Sequence, residues 1–140
     1  MAFLQFGGNP EHVVLGGDSA GAQSITLHLT AFAGAPTNLF HGVIGESQSF
    51  PPILTVPEAQ FQYDALAERV GCANSTDSLA CLRALDISTL QNNNIAIPFP
   101  GRDNPPNFLY NAIVDGSFLP DVPFRLFEEG KFVRVPSVFG

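Results

Sequence analysis

The chain has 140 residues, enough for one domain with a real core. Hydrophobic residues make up 45% of it and include 13 Phe, which excludes a disordered chain, while the net charge of −7 argues against nucleic acid or an anionic membrane as partner. No run reaches the roughly 18 apolar residues of a membrane span, so no stable membrane insertion is expected, and Met1-Ala2-Phe3-Leu4 is too short, and lacks the basic flank, for a signal peptide.

In chain order, Phe6-Gly7-Gly8-Asn9-Pro10 is a turn-rich lead-in. No dinucleotide or Walker glycine pattern follows it, so its glycine pair reads as structural. Val13 to Leu15 is a short β-branched and apolar run that suits a strand buried on both faces. Gly17-Asp18-Ser19-Ala20-Gly21 then fits Gly-x-Ser-x-Gly. Ala20 to Phe32 lacks proline and carries Ile25, Leu27, Leu29 and Phe32, the pattern of a buried helix. A bare Gly-x-Ser-x-Gly also fits a flexible glycine turn. Strand before and helix after make it the nucleophile elbow of an α/β-hydrolase. Such a turn strains the serine backbone, and side chains at Gly17 or Gly21 are expected to collide with neighbouring backbone. The gain is a Ser19 hydroxyl above the sheet, with the Ala20 N–H at a helix N-terminus aimed at a developing oxyanion.

Residues 33–38 read as a loop, and Gly42-Val43-Ile44-Gly45-Glu46-Ser47 as a second buried parallel strand, completing a βαβ unit. Pro51-Pro52 ends that pattern. Helical spacing follows from Pro57 to Cys72, with shorter helices over Ser78–Ala84 and Ser88–Gln91. Residues 91–106 are rich in Asn, Pro and Gly and read as a surface loop. Ile113–Gly116 reads as a short strand entering a turn, Pro123–Glu129 as a helix stopped by Gly130, and Val135–Gly140 as a further strand. The fold class is α/β: a partial α/β-hydrolase fold, mostly parallel sheet with flanking helices. Val13–Gly16, Gly42–Glu46 and Val135–Phe139 are expected as parallel neighbours.

Cys72 and Cys81 are nine apart and flank Asn74-Ser75-Thr76, an N-glycosylation sequon. With no other Cys and no nearby His, they do not make a metal site. A local disulfide between two helices is the favoured reading, contributing about 2–3 kcal/mol in the chain-entropy model; two buried reduced thiols are the alternative. Cysteines and sequon together point to an extracytoplasmic, secreted origin.

These stretches together resemble the type-B carboxylesterase/lipase family, which includes cholinesterases and fungal secreted lipases. The resemblance rests on Phe6–Pro10, Gly17–Gly21, Leu39-Phe40-His41-Gly42-Val43-Ile44 with Glu46-Ser47, and Gly71-Cys72 with Cys81-Leu82-Arg83. Asp115-Gly116-Ser117-Phe118-Leu119-Pro120 and Val135-Pro136 complete it. The chain departs from the family pattern at Asp18, where Glu is usual, and at Gln48, where Gly is common. The resemblance implies a catalytic Ser19, an oxyanion N–H at Ala20 and a Cys72–Cys81 disulfide. It places Ser47 near the catalytic acid and base, although a strand-end hydroxyl bonding local backbone is an equal reading.

Acyl transfer by serine also needs a base and an acid, in the chain order Ser, acid, His. Of the three histidines, His28 lies nine residues down the elbow helix, about 13 Å along its axis, while His12 and His41 precede their strands. All three read as structural. The resemblance puts the acid just beyond the last strand; Glu46 is the only rival. The chain is therefore expected to be an incomplete central part, residues 1–140, of a single catalytic domain. The implied parent is a serine carboxylesterase or lipase acting on small-molecule or lipid esters, without metal or organic cofactor. A non-catalytic cholinesterase-like interaction module and an inactive truncated product are the alternatives; the retained Ser19 favours the enzyme. Oligomeric state is not legible.

Overall fold

Two clusters of buried apolar residues, one around Ile25, Leu29, Phe40 and Val43 and one around Ala67, Cys72 and Leu82, organise the fold. In the computed structural model, which describes residues 5–140, the chain forms two compact units. The first contains the residues up to Pro52 together with Val114–Gly140, and the second spans Ile53–Ile113. Met1–Leu4, read above as too short for a signal peptide, lie outside the described residues.

In the first unit, strand β1 (Val14–Asp18) leads through Ser19 into helix α1 (Ala20–Thr30), which a short 3-10 turn (Ala31–Ala33) extends. Strand β2 (Gly42–Glu46) lies parallel to β1, with Val14 opposite Gly42 and Asp18 opposite Glu46. Near the end of the chain, β5 (Ser137–Phe139) joins the other side of β2, also parallel, giving the order β1-β2-β5. These are the three strands expected as parallel neighbours. The core is one-sided: Ile25 and Leu29 of α1 pack with Phe40 and Val43, and Val13, Leu15, Phe127, Val133 and Val135 close around them.

That one-sidedness corrects the expectation of strands buried on both faces. Alternate residues Val14, Ile44 and Val138 are 46%, 45% and 64% exposed, because among the described residues helices cover only one sheet face. The elbow helix is likewise amphipathic and not wholly buried. Ala22, Ile25, Thr26 and Leu29 recur at helical spacing on its covered face, whereas Phe32 is exposed. Phe32, Ala33 and Gly34 all take positive φ, and a Cβ on Gly34 would lie 2.3 Å from the Phe132 amide nitrogen. Only glycine lets the return strand's approach pass so close to the end of α1.

Asp115 organises the turn that follows β4 (Ile113–Val114). Its Oδ1 accepts hydrogen bonds from the amides of Ser117 and Leu119, both at 2.9 Å, and the Gly116 amide donates to the Leu119 carbonyl. Leu119 is thereby driven into the interior at 1% exposure, and the Phe118 carbonyl accepts from the Phe32 amide at 2.8 Å. Helix α5 (Pro123–Glu128) follows, with Pro123 in its first turn and Gly130 just past its end, as expected.

The second unit is helical. Strand β3 (Leu54–Thr55), which has no counterpart in the sequence reading, pairs with β4 and leads into α2 (Val56–Arg69). A strand this short has no periodicity to detect. Helices α3 (Ser78–Ala84) and α4 (Ile87–Asn93) are each opened by an aspartate. Asp77 accepts from the Ala80 amide and Asp86 from the Thr89 amide, both at 2.9 Å. Ala67, Cys72 and Leu82 form the core of this unit, with Tyr63, Leu66, Val70, Leu85 and Leu90 around them. Cys72 and Cys81 are disulfide-bonded, Cα to Cα 5.7 Å, so the reduced-thiol alternative does not hold.

The two amide bonds to Asp115, Ser117 first, hold its carboxyl below the usual aspartate range. Because the folded-state pKa lies below the unfolded one, the unfolded chain takes up a proton over that interval that the folded chain refuses. The stabilisation is complete above the ordinary aspartate pKa and is lost as pH falls through the folded value. Urea midpoints at pH 7 and pH 3 should therefore fall further for the wild type than for Asp115→Asn, whose starting stability should be lower.

Candidate active site

Ser19 sits where β1 stops and α1 starts, with φ 54° and ψ −111°. That region is sparsely populated by residues with a Cβ and costs about 1–3 kcal/mol. Two backbone bonds hold it there. The Ser19 amide donates to the Glu46 carbonyl at 3.0 Å, tying the turn to the neighbouring strand, and the Ser19 carbonyl accepts from the Gln23 amide at 3.0 Å. Ser19 is exposed, and its hydroxyl makes no capping bond to the helix it precedes. Ala20 is the first residue of α1, so its amide belongs to the helix's first turn, which has no intrahelical acceptor.

The two elbow glycines differ. A Cβ on Gly17 would lie 2.5 Å from the Gly21 carbonyl carbon, so strand and helix can meet this closely only if Gly17 is bare. At Gly21 nothing among the described residues lies within 4 Å of such an atom. The expected collision at Gly21 is therefore not found; the crowding is one-sided, with Gly21 supplying the backbone that Gly17 must avoid. Asp18 ends β1 opposite Glu46 and is exposed.

Parallel register brings Ser47 to the same sheet edge as Ser19, one step beyond the Asp18–Glu46 pair on the adjoining strand. Ser47 also has positive φ, 51°, and its amide donates to the Gly140 carbonyl at 2.8 Å. Nothing in the sequence signalled that conformation, and the Gly140 carbonyl that the Ser47 amide meets lies just past the end of β5. Gln48, the departure from the family pattern, reaches back to α1, where its Nε2 donates to Thr26 Oγ1 at 2.9 Å. It lines an apolar cavity of about 440 Å³ together with Thr26, Phe50, Phe124, Phe127 and Phe139.

No histidine is brought to Ser19. His41 Nδ1 accepts from the Val13 amide at 3.2 Å while its own amide donates to the Val13 carbonyl at 2.7 Å, which fixes it at the start of the sheet. His28 lies edge-on to Phe118 at 5.8 Å. His12 is in the turn before β1, at the opposite end of that strand from Ser19. Among the described residues no group of His, Cys, Asp and Glu is arranged to hold a metal ion. Nor is any helix long and apolar enough to cross a membrane.

The profile of the carboxylesterase family matches residues 3–140, and the chain belongs to that family. It is 33% identical over 141 residues to secreted lipase 1 of Botryotinia fuckeliana, covering 96% of this chain and 25% of that protein. Among solved structures it superimposes on Aspergillus niger EstA with a TM-score of 0.91 and 42% identity, covering 95% of this chain and 26% of the other. A Geobacillus stearothermophilus carboxylesterase, at 24% identity and a TM-score of 0.73, shares the fold. The architecture is that of a partial α/β-hydrolase. The chain spans about a quarter of the length of the relatives it matches.

The glycine asymmetry is directly measurable. Gly17→Ala should lower stability by about 2 kcal/mol or more, since backbone on both sides of the clash has to move. Gly21→Ala, in open space at a helical position, should be neutral or stabilising by up to about 1 kcal/mol. Urea midpoints of the two variants test this, and equal losses would contradict the one-sided geometry.

Proposed function

We propose that this chain is the nucleophile-bearing central part of a single catalytic domain in a longer, secreted serine carboxylesterase or lipase. The observation that carries the reading is the Ser19 elbow: a strained, exposed serine between a parallel strand and a helix N-terminus, behind a glycine that cannot carry a side chain. In this reading Ser19 attacks the carbonyl carbon of an ester. The Ala20 amide contributes one hydrogen bond to the resulting oxyanion, the alcohol departs, and water hydrolyses the acyl-serine. Ser47, on the adjoining strand end, supports the acid and base from nearby.

The general base and the acid come from outside residues 1–140. His41 and His28 are held by Val13 and Phe118, His12 lies at the opposite end of β1, and none adjoins Ser19. Two further observations support a larger domain. Relatives are about four times as long, and one face of the three-stranded sheet carries Val14, Ile44 and Val138 uncovered. The disulfide and the names of secreted fungal relatives favour an extracellular protein.

With the longer protein in hand, Ser19→Ala should reduce kcat on p-nitrophenyl butyrate by about 10⁴–10⁶ without unfolding it. The 140-residue chain alone should give no more than trace turnover. Undiminished activity in Ser19→Ala would remove Ser19 as the nucleophile. Robust, Ser19-dependent turnover by the short chain would instead mean that His12, His28 or His41 reaches the serine, with Glu46 behind it.

A further inference from the structure

The sequon has no part in ester chemistry, yet the fold gives it a specific setting. Residues 73–77 are all exposed and form the turn between α2 and α3 inside the loop closed by the Cys72–Cys81 disulfide. Both ends of that turn are pinned. At its start the amides of Cys72 and Ala73 donate to the Ala67 carbonyl at 2.7 and 3.1 Å, and the Ser75 amide donates to the Cys72 carbonyl. At its end Asp77 caps α3 through the Ala80 amide. Among the described residues, the bonds that hold these two anchors use backbone groups and the Asp77 carboxylate, not the side chains of Asn74 or Thr76.

We propose that Asn74 is an N-glycosylation site and that the folded, disulfide-closed chain carries the glycan there. Three conditions meet at this position. The chain has a single Asn-x-Ser/Thr sequon, Asn74-Ser75-Thr76. Its asparagine is exposed on a turn, so a bulky hydrated group displaces no core residue. The disulfide beside it forms in the same oxidising compartment that attaches such glycans. In the reaction the Asn74 Nδ2 attacks the anomeric carbon of a lipid-pyrophosphate-linked oligosaccharide. A C–N bond forms, the bond from that carbon to pyrophosphate oxygen breaks, the lipid pyrophosphate leaves, and the amide gives up one proton. No electron transfer is involved.

The test is translation of the full 140-residue chain behind a cleavable signal sequence in the presence of microsomes. Only molecules protected from added protease are scored, so that translocation is established separately. The expected result is an endoglycosidase-sensitive shift that is lost completely in Asn74→Gln and in Thr76→Ala and retained in Thr76→Ser. Enzymatic release of the glycan should leave a deamidated residue at position 74 in the peptide mass. The glycosylated molecules should also have no free thiol in the denatured, unreduced state, showing that the modified chain closes its disulfide. Translocated chain without the shift would overturn the proposal. So would a glycan found only on molecules whose Cys72 and Cys81 remain free, since the modified loop would then be incompatible with the fold.

Discussion

The first unit depends on one backbone constraint, the close passage of the β1 end against the start of α1. Strand and helix approach until Gly17 has no room for a side chain, and the peptide between them can turn only by forcing Ser19 to positive φ. Strain of this kind persists only where surrounding bonds over-determine it. Here the Ser19 amide is bound by the neighbouring strand and its carbonyl by the helix, so relaxing the serine would break both. The same register that supplies the Glu46 carbonyl also brings Ser47 to the edge of the sheet beside it. Chemical exposure of Ser19 and the pairing of β1 with β2 are thus one feature seen from two sides.

Burial in this unit follows from where helices lie. Helix α1 presents Ile25 and Leu29 to Val43 and Leu15, and α5 adds Phe127 to the same side. The opposite face of the sheet remains uncovered among the described residues, which is unusual for parallel strands because each face is ordinarily screened by a crossover helix. Strand β2 carries apolar residues on both faces, Val43 on the buried one and Ile44 on the exposed one.

The second unit is stabilised differently. Its core is small, and its short helices depend on their ends: Asp77 and Asp86 cap α3 and α4, and Glu58 Oε2 accepts from both the amide and hydroxyl of Thr55 ahead of α2. These carboxylate bonds lower the pKa of Glu58 and Asp86, through Thr55 in one case and Ser88 and Thr89 in the other. The Cys72–Cys81 bridge then ties α2 to α3 through a loop too short to have much freedom.

Several of these features were legible from residue order alone because they depend on local chemistry. The elbow was readable since glycines on either side of a serine, after a β-branched run and before an uninterrupted helix, have few other uses. The α3 boundaries and the Gly130 stop belong to the same class, each set by neighbours within about a dozen residues, whereas the Cys72–Cys81 pairing was favoured by spacing and decided against reduced thiols by the fold. Tertiary structure decided the rest. That Gly17 is sterically obligatory and Gly21 is not depends on which backbone lies against which, and the motif is symmetric in sequence. The partner of the Ser47 amide, Gly140, is ninety-three positions away, and that of His41, Val13, is twenty-eight positions earlier. Short continuous apolar runs in β1 and β2 signalled strands suited to two covers, but which face a helix covers is fixed only when the whole sheet is assembled.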